Sequence, residues 1–270
     1  MIALIGSGNV AHWVAGRLKG SQEFPVGQVY SRRMENARAL ADTLGAEAID
    51  DLSLLRPDSD IYLFSVKDDA YGEILEKVPF TMPVALHTAG SVSQNLFAGH
   101  AREYGVLYPL QTFSKTTDLG HLQVPLCVEE SMIGRNRDKV HRLASELSGT
   151  CYAVDESRRA VLHLAAVFAC NFVNHCYALS AEVLERHGLP FDVMLPLIDE
   201  TARKVHELHP LDAQTGPAVR YDQNVIGMQA QLLADTPLLQ EVYRLLSRSI
   251  HEKSSNYDKL RLTEDTCHRV

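Results

Sequence analysis

The amino-acid sequence predicts an α/β fold in which a doubly wound, mostly parallel sheet is followed by an all-helical region. Up to about residue 155, short apolar runs alternate with amphipathic helical patterns, which is typical of a parallel sheet covered by helices on both faces. After Asp155 the strand pattern stops, and residues 156–187 contain neither proline nor glycine. We therefore expect two domains, residues 1–155 and residues 156–270, which a chain of 270 residues can accommodate.

The predicted strands are short runs of apolar and β-branched residues bounded by turn residues. They cover residues 2–5, 26–30, 46–49, 61–66, 84–88, 106–108, 125–128 and 151–154. Apolar residues spaced three or four apart predict the intervening helices, at residues 10–18, 35–44, 71–78 and 136–147. Further helices are predicted at residues 156–187, 191–207, 222–233 and 238–253, with a loop at 210–220 and a polar tail that frays after Tyr257.

A glycine-rich turn follows the first predicted strand and opens the first predicted helix. It has the pattern G-x-G-x-x-A, in which Gly6 allows a tight turn, Gly8 lets the backbone approach a pyrophosphate and Ala11 keeps the helix close to the sheet. The helix N-terminus then directs free N–H groups at the anion. The alternative is that the glycines merely close a strand-to-helix turn. The residues expected to bind a dinucleotide here are Gly6, Ser7, Gly8, Asn9 and Val10.

The residues after the second strand indicate which dinucleotide binds. NAD-binding domains usually place an Asp or Glu at this point, where it contacts the ribose 2′-hydroxyl. Here the strand is followed by Ser31, Arg32 and Arg33, and guanidinium groups match the oxygens of a 2′-phosphate. We therefore expect NADP(H) as the cofactor, although two arginines in a solvated loop would give the same pattern.

Composition excludes several classes of partner. The formal net charge is −8, from 26 Lys and Arg against 34 Asp and Glu, with no basic block, so nucleic acid is not expected as a partner. Five cysteines without a C-x-x-C pair predict neither a disulfide framework nor a zinc site, and free thiols suit the cytoplasm. A strand beginning at residue 2 leaves no room for a signal peptide, and the apolar run 160–173 is too short to span a membrane.

Polar residues at three strand ends are candidates for the active site, because ligands of such sheets bind at the carboxyl edge. Val66 and Lys67 end the fourth strand and are expected to contact the cofactor, unless Lys67 is an ordinary exposed residue. Ser91, after the fifth strand, is expected to orient a substrate but would equally serve as a helix cap. The sixth strand ends in the candidate substrate ligands Tyr108, Gln111 and Thr112.

The helical region adds three candidates. His163 and Asn171 lie on one face of the long predicted helix. His163 is the expected proton donor and Asn171 the expected substrate-orienting residue, while the alternative is a satisfied histidine in the core. Tyr108 would donate a proton only if its pKa fell. Arg220 is expected to bind a substrate carboxylate or to pair with Asp222.

Another pair of residues, His206 and His209, has a spacing that suits a metal ion. No further ligand pattern accompanies it, so we expect a surface feature and no metal site.

Five segments, taken together, resemble a known family: residues 6–11, 87–91, 108–113, 163–172 and 215–217. They look like those of bacterial proteins that join an N-terminal Rossmann-like oxidoreductase domain to a C-terminal helical domain of unknown function, DUF2520. Such proteins are often labelled as NADP oxidoreductases similar to the coenzyme F420-dependent group. The resemblance implies the fold and the cofactor but no substrate.

The N-terminal half is more distantly similar to pyrroline-5-carboxylate reductase, ketopantoate reductase and prephenate dehydrogenase. Lys67 resembles the lysine of the Ala-Val-Lys-Pro segment of imino acid reductases, but Asp68 replaces the proline. Tyr108 stands where prephenate dehydrogenases have a catalytic histidine. Asn171 matches the asparagine of hydroxyacid dehydrogenases, whereas Val167 replaces their lysine.

The sequence thus predicts a cytoplasmic NADP(H)-dependent oxidoreductase acting on a small carbonyl, imine or hydroxy compound that carries a carboxylate. The apolar faces of the helical region predict a homodimer formed through that region. Two alternatives remain open: a nucleotide-binding sensor without catalysis, and a reductase that uses F420 or another deazaflavin.

Overall fold

The computed structural model describes residues 1–114 and 123–267, with the backbone alone at 258 and 260–267. The chain forms two compact units, Met1–Val173 and Asn174–Val270. The predicted boundary at residue 155 lies earlier, at the start of a helix that belongs to the first unit. The assignment of one function to each domain stays a prediction.

The first unit is built on an eight-stranded sheet of order β3-β2-β1-β4-β5-β6-β7-β8. Neighbouring strands are parallel except for β6 and β7, which are antiparallel. The predicted doubly wound, mostly parallel α/β sheet is therefore confirmed. The strands are β1 (Ile2–Ile5), β2 (Val26–Tyr30), β3 (Glu47–Ile49), β4 (Ile61–Phe64), β5 (Met82–His87), β6 (Ala101–Pro109), β7 (Leu126–Met132) and β8 (Cys151–Ala153).

Helices fill the connections of the first unit and make up the second. They are α1 (Asn9–Leu18), α2 (Met34–Ala41), α3 (Tyr71–Lys77), α4 (Arg137–Leu147), α5 (Glu156–Ala166), α6 (Val173–Arg186), α7 (Leu195–Lys204), α8 (Pro210–Ala213), α9 (Pro217–Arg220), α10 (Gln223–Gln231) and α11 (Pro237–Cys267). A π-helical turn, Val167–Phe172, lies between α5 and α6. Short 3₁₀ turns occur at Leu52–Leu54, Asp68–Ala70, Gln94–Phe97 and Phe191–Met194.

Two neighbouring inner strands, β1 and β4, are buried along their whole length. Their side chains alternate between two hydrophobic clusters, so that Leu4 packs in one and Ile5 in the other. Helices α1, α2 and α4 supply residues to the first cluster and α3 to the second. Because the strand order reverses between β1 and β4, the carboxyl ends of these strands form the switch point at which doubly wound sheets bind ligands.

Three predictions of secondary structure were wrong. Strand β6 begins at Ala101 instead of residue 106, because its charged first residues, Arg102 and Glu103, hide the apolar pattern. The predicted loop at 210–220 contains α8 and α9, each of which starts with a proline in its first turn. The C-terminal helix extends to Cys267, well past Tyr257.

Residues 156–186 are helical throughout. Within the described chain this is the one helix long and apolar enough to cross a membrane by length and composition, and its most apolar window packs against no other part of that chain closely enough to be buried. The sequence analysis judged the apolar run too short to span a membrane because it considered residues 160–173 alone, whereas the helix is 31 residues long. The length of the helix therefore does not tell whether its apolar surface meets a membrane or another apolar partner.

Candidate active site

A cavity of about 850 Å³ opens at the carboxyl ends of the parallel strands. Its walls are the turns that follow β1, β2, β4 and β5, which the sheet order places side by side. All ten residues predicted to bind the cofactor line it: Gly6, Ser7, Gly8, Asn9, Val10, Ser31, Arg32, Arg33, Val66 and Lys67. Residues that are far apart in sequence thus meet in one site.

The two glycines of the glycine-rich turn are needed for different reasons. Gly6 has φ +119°, and a Cβ there would lie 2.1 Å from the carbonyl oxygen of Ser65, so the backbone itself requires glycine. Around Gly8, by contrast, no atom of the described residues lies within 4 Å of the position of a Cβ, apart from its chain neighbours and its own helix. Gly8 is the N-cap of α1, and no side chain from that part of the chain caps this helix. Its first N–H groups are therefore free to bind an anion. This cradle fits a pyrophosphate.

Positive charge lines the end of the cavity near β2. Within the described residues, Arg32 makes no ion pair or hydrogen bond, and Arg33 approaches only Glu35, at 3.9 Å with both side chains largely exposed. The Ser7 hydroxyl donates to the Ser31 hydroxyl at 2.8 Å, which ties the glycine-rich turn to the end of β2. One unpaired guanidinium group and one in a long, exposed ion pair fit an anionic group such as a 2′-phosphate.

Ser91 and Asp68 join the turns that follow β5 and β4. The Ser91 hydroxyl donates a hydrogen bond to the Asp68 carboxylate. Asp68 lines the cavity, whereas Ser91 is exposed beside it. The alternative role of Ser91 as a helix cap is not observed, because the cap of the following 3₁₀ turn is Ser93.

Tyr108 and His163 form a side-chain pair next to the turn after β5. The Tyr108 hydroxyl lies 2.9 Å from Nδ1 of His163, and the two rings meet edge to face with centroids 5.7 Å apart. Both side chains contact Gly90, whose neighbour Ala89 lines the cavity. Burial raises the pKa of Tyr108, the opposite of the change that proton donation by Tyr108 would require. The hydroxyl therefore stays protonated and serves as a hydrogen-bonding group.

The other candidates are all exposed side chains. Asn171 is exposed in the π-helical turn, and its side chain makes no hydrogen bond within the described residues. Gln111 and Thr112 are exposed and bond to each other. Arg220 is exposed in the second unit and does not pair with Asp222, whose carboxylate caps α10 instead.

His206 and His209, whose spacing suits a metal ion, are not part of a group of metal ligands among the described residues. The ring of His209 stacks on that of Tyr257, with centroids 5.2 Å apart. No group of three or more His, Cys, Asp or Glu side chains that could hold a metal occurs among the described residues.

Several cavity residues were missed by sequence reasoning. The most informative is Phe113, whose carbonyl oxygen accepts a hydrogen bond from the Asn9 side chain at 2.6 Å and whose ring packs on Trp13. Phe113 comes just after Gln111 and Thr112. Only the polar residues of this segment were predicted as ligands, so the apolar one was missed. Tyr30 and Asn36 also line the cavity, and their positions on β2 and α2 carry no local motif.

Comparison with known proteins bears on both halves of the chain. Residues 1–84 match the family model described as NADP oxidoreductase coenzyme F420-dependent, and residues 124–250 match the domain of unknown function DUF2520. A solved structure from Bacteroides fragilis, of a protein described as an NADP oxidoreductase, is 49% identical, with 93% of this chain and 97% of that chain covered and a TM-score of 0.84.

The chain belongs to this NADP oxidoreductase family. The cofactor of this family is NADP(H). No curated protein matches the chain. The glycine-rich turn and the arginines of the cavity thus lie in the region that the NADP oxidoreductase family covers.

More distant structures share the fold of these NADP oxidoreductases. An imine reductase from Myxococcus stipitatus in complex with NADP⁺ is 16% identical, with 96% and 94% of the two chains covered and a TM-score of 0.66. A 1-pyrroline-5-carboxylate reductase from Streptococcus pyogenes is 14% identical, with 93% and 98% covered and a TM-score of 0.61. The predicted likeness to pyrroline-5-carboxylate reductase is therefore confirmed at the level of the fold.

Proposed function

We propose that this protein transfers a hydride between NADP(H) and a small carbonyl, imine or hydroxy compound that carries a carboxylate. The observation that carries the proposal is the Tyr108–His163 pair, which contacts Gly90 one residue away from the wall of the cofactor cavity. A proton donor beside a dinucleotide site is what reduction of a C=O or C=N bond needs. The imine reductase and the reductive aminase from Aspergillus terreus among the similar folds support the substrate class by analogy.

The chain's own residues bind the coenzyme in two places. The open N-terminus of α1 at Gly8 holds the pyrophosphate by backbone N–H groups and the helix dipole. Arg32 and Arg33 bind the 2′-phosphate and so select NADP(H) over NAD(H) and over a deazaflavin. When bound, the nicotinamide supplies the hydride-transfer chemistry, and the protein positions it.

His163 is the proposed proton donor. In the neutral ring, the Tyr108 hydroxyl donates to Nδ1 of His163, and the ring proton is on Nε2. The ring acts as an acid once both nitrogens carry a proton. The Tyr108 oxygen then accepts from Nδ1, and Nε2 gives its proton to the carbonyl oxygen or imine nitrogen of the substrate, which returns His163 to the neutral form. Ser91 and Asn171 orient the substrate, and Gln111, Thr112 and Arg220 bind its polar groups, with Arg220 taking the carboxylate.

A calorimetric titration with NADPH, NADH and NADP⁺ is the first test. We expect tight NADPH binding and clearly weaker NADH binding, followed by turnover in a screen of keto acids and imino acids. NADPH binding without turnover of any substrate would favour the sensor alternative. Val167, at the position of the lysine of hydroxyacid dehydrogenases, supports that alternative. No binding of any of the three nucleotides would contradict the proposal.

We also propose that the protein is a homodimer formed through its helical region. Large apolar side chains are exposed on helices that bury little within the chain, among them Leu164, Phe168, Phe172, Leu197, Met228 and Leu232. We propose a second copy of the chain as the partner, not a bilayer. His163, Asn171 and His175 interrupt the apolar surface of the helix 156–186, and polar side chains inside a membrane are costly. Light scattering on the purified protein distinguishes a dimer of about twice the 30.0 kDa chain mass from a monomer.

We place the protein in the cytoplasm. Cys127, Cys151, Cys170 and Cys176 are free thiols, which suits a reducing compartment. Fractionation of the source cells would test this, and recovery with the membrane fraction would contradict it.

A further inference from the structure

Arg159 is a buried arginine without a part in the reaction described so far. It lies on α5 four residues before His163, and its side chain is 1% exposed. Its Nε donates to Oε2 of Glu129 on β7 at 3.0 Å, and Glu129 is itself buried. A buried ion pair contributes little net stability compared with apolar side chains of similar volume. Stability alone therefore does not account for two charges at this place.

The guanidinium also binds the turn after β5. Its Nη1 donates to the carbonyl oxygen of Gly90 at 2.7 Å and to that of Ala89 at 3.2 Å. On the same turn, the N–H of Ala89 donates to Nδ1 of His87 at 3.2 Å. The peptide groups around Ala89 are thus held by their carbonyls and by an N–H, which fixes the orientation of this turn against the sheet.

Gly90 connects this turn to the proposed proton donor. A Cβ on Gly90 would lie 2.6 Å from Nδ1 of His163 and 2.9 Å from Cζ of Tyr108, so backbone and rings are in direct contact. Close-packed contacts of this kind transmit displacements instead of absorbing them. The position of the turn therefore determines where the two rings sit and how well their hydrogen bond is aligned.

We propose that Arg159, paired with Glu129, is a positioning residue that acts through the carbonyls of Ala89 and Gly90 to hold the Tyr108–His163 pair beside the cofactor cavity. The expected effect on turnover rests on the proposed function, but the expected effect on the alignment of the Tyr108–His163 pair does not. With the pair aligned, the Tyr108 hydroxyl donates to Nδ1 of His163 and the ring proton stays on Nε2. Without the clamp, the turn shifts and His163 populates both tautomers.

The test removes both charges together, so that neither is left buried alone. In Arg159→Met/Glu129→Leu the clamp on the two carbonyls is lost. The matched control is Arg158→Met, because Arg158 is the neighbouring arginine, is exposed and pairs only with Asp155 at 3.8 Å. Thermal unfolding and a calorimetric NADPH titration establish that each variant is folded and binds the cofactor.

The decisive readout is the tautomer of His163, measured by long-range ¹H–¹⁵N correlation on histidine-labelled protein. Its signal is assigned among the 12 histidines by its absence from the His163→Gln variant. We expect an unprotonated Nδ1 in the wild type and in Arg158→Met, and averaged nitrogen shifts in the double variant. We also expect kcat to fall about 100-fold, while the NADPH dissociation constant changes less than about threefold.

A folded double variant with an unchanged His163 tautomer and unchanged kcat would overturn the proposal. If no substrate is ever turned over, the tautomer change alone still supports positioning, and only the proposed function fails. Should the double variant not fold, Arg159→Lys decides instead, because a lysine keeps the charge but cannot reach Glu129 and both carbonyls at once. Full activity and a wild-type tautomer in Arg159→Lys would also overturn the proposal.

Discussion

The hydroxyl of Tyr108 lies 2.9 Å from Nδ1 of His163. The tyrosine ends β6 and the histidine belongs to α5, 55 residues later. Burial raises the pKa of Tyr108, so the hydroxyl stays protonated. We propose that it donates to Nδ1 of the neutral His163 ring, which places the ring proton on Nε2. The ring can then bond to the tyrosine through one nitrogen and to a substrate through the other.

Loss of the His163 imidazole and loss of the Tyr108 hydroxyl should reduce turnover to different degrees. We expect His163→Ala to lower kcat by about 10²- to 10⁴-fold, the usual contribution of a general acid, and Tyr108→Phe to lower it less, because it removes only the partner of Nδ1. NADPH affinity should be unchanged in both, since neither residue lines the cofactor cavity. Steady-state kinetics beside a calorimetric NADPH titration measures this. Loss of NADPH binding in both variants would instead assign the pair to the cofactor pocket.

The arginines after β2 should determine the choice of coenzyme. Arg32→Ala and Arg33→Ala together are expected to weaken NADPH binding by about 10- to 100-fold, the effect of losing charge-assisted hydrogen bonds. NADH has no 2′-phosphate, so its affinity should hardly change. Arg38→Ala is the matched control, because Arg38 is exposed on α2 outside the cavity. Equal weakening of both nucleotides would show that these arginines do not read the 2′-phosphate.

Alanine at the two glycines should separate folding from binding. Gly6→Ala is expected to destabilise the protein by about 2 kcal/mol or more, because the new Cβ meets the Ser65 carbonyl at a backbone angle that alanine disfavours. Gly8→Ala should leave the free energy of unfolding nearly unchanged, since its Cβ enters open space, but should weaken NADPH binding by blocking the approach to α1. Urea unfolding and calorimetry distinguish the two. Normal NADPH binding by Gly8→Ala would place the pyrophosphate elsewhere.

His87 should make the stability of the first unit depend on pH. Burial, with a smaller contribution from Arg159, lowers its pKa to about 3 from a usual value near 6.5. The unfolded chain therefore binds a proton between these values that the folded chain does not, so stability is full above pH 6.5 and is lost as the pH falls. At pH 5 the expected loss is about 2 kcal/mol. Urea unfolding at pH 7 and pH 5 measures it, and His87→Asn should show a smaller difference; an equal loss in this variant would assign the effect to other groups.

Local sequence was sufficient for the ten predicted cofactor residues that line the cavity. They lie in short segments after strands, as with Ser31–Arg33 after β2, so identifying the strands also identified this part of the lining. Phe113 was missed because its place depends on contacts with Asn9 and Trp13, some 100 residues away. Glu129 and Arg159 were missed for the same reason, since only the packing of β7 against α5 shows that two charged residues are buried together.

The π-helical turn could not be predicted from residue spacing. Spacing placed His163 and Asn171 on one face of an uninterrupted α-helix, but Val167–Phe172 lies between α5 and α6 with wider hydrogen-bonded turns. The residues of this turn have no composition that marks it. The exposed position of Asn171 follows from the turn's geometry and from the packing of the helix, neither of which is encoded in a period of 3.6 residues.

The same turn has a consequence for comparing this chain with its relatives. A π turn bonds residue i to i+5 where an α turn bonds i to i+4, so it holds one extra residue. A relative whose helix lacks the turn would align with this chain only if a one-residue gap were opened between His163 and Phe172. Counting along the helix from the histidine would then assign the role of Asn171 to a neighbour on another side of the helix, so superposition is the sounder guide to equivalent residues.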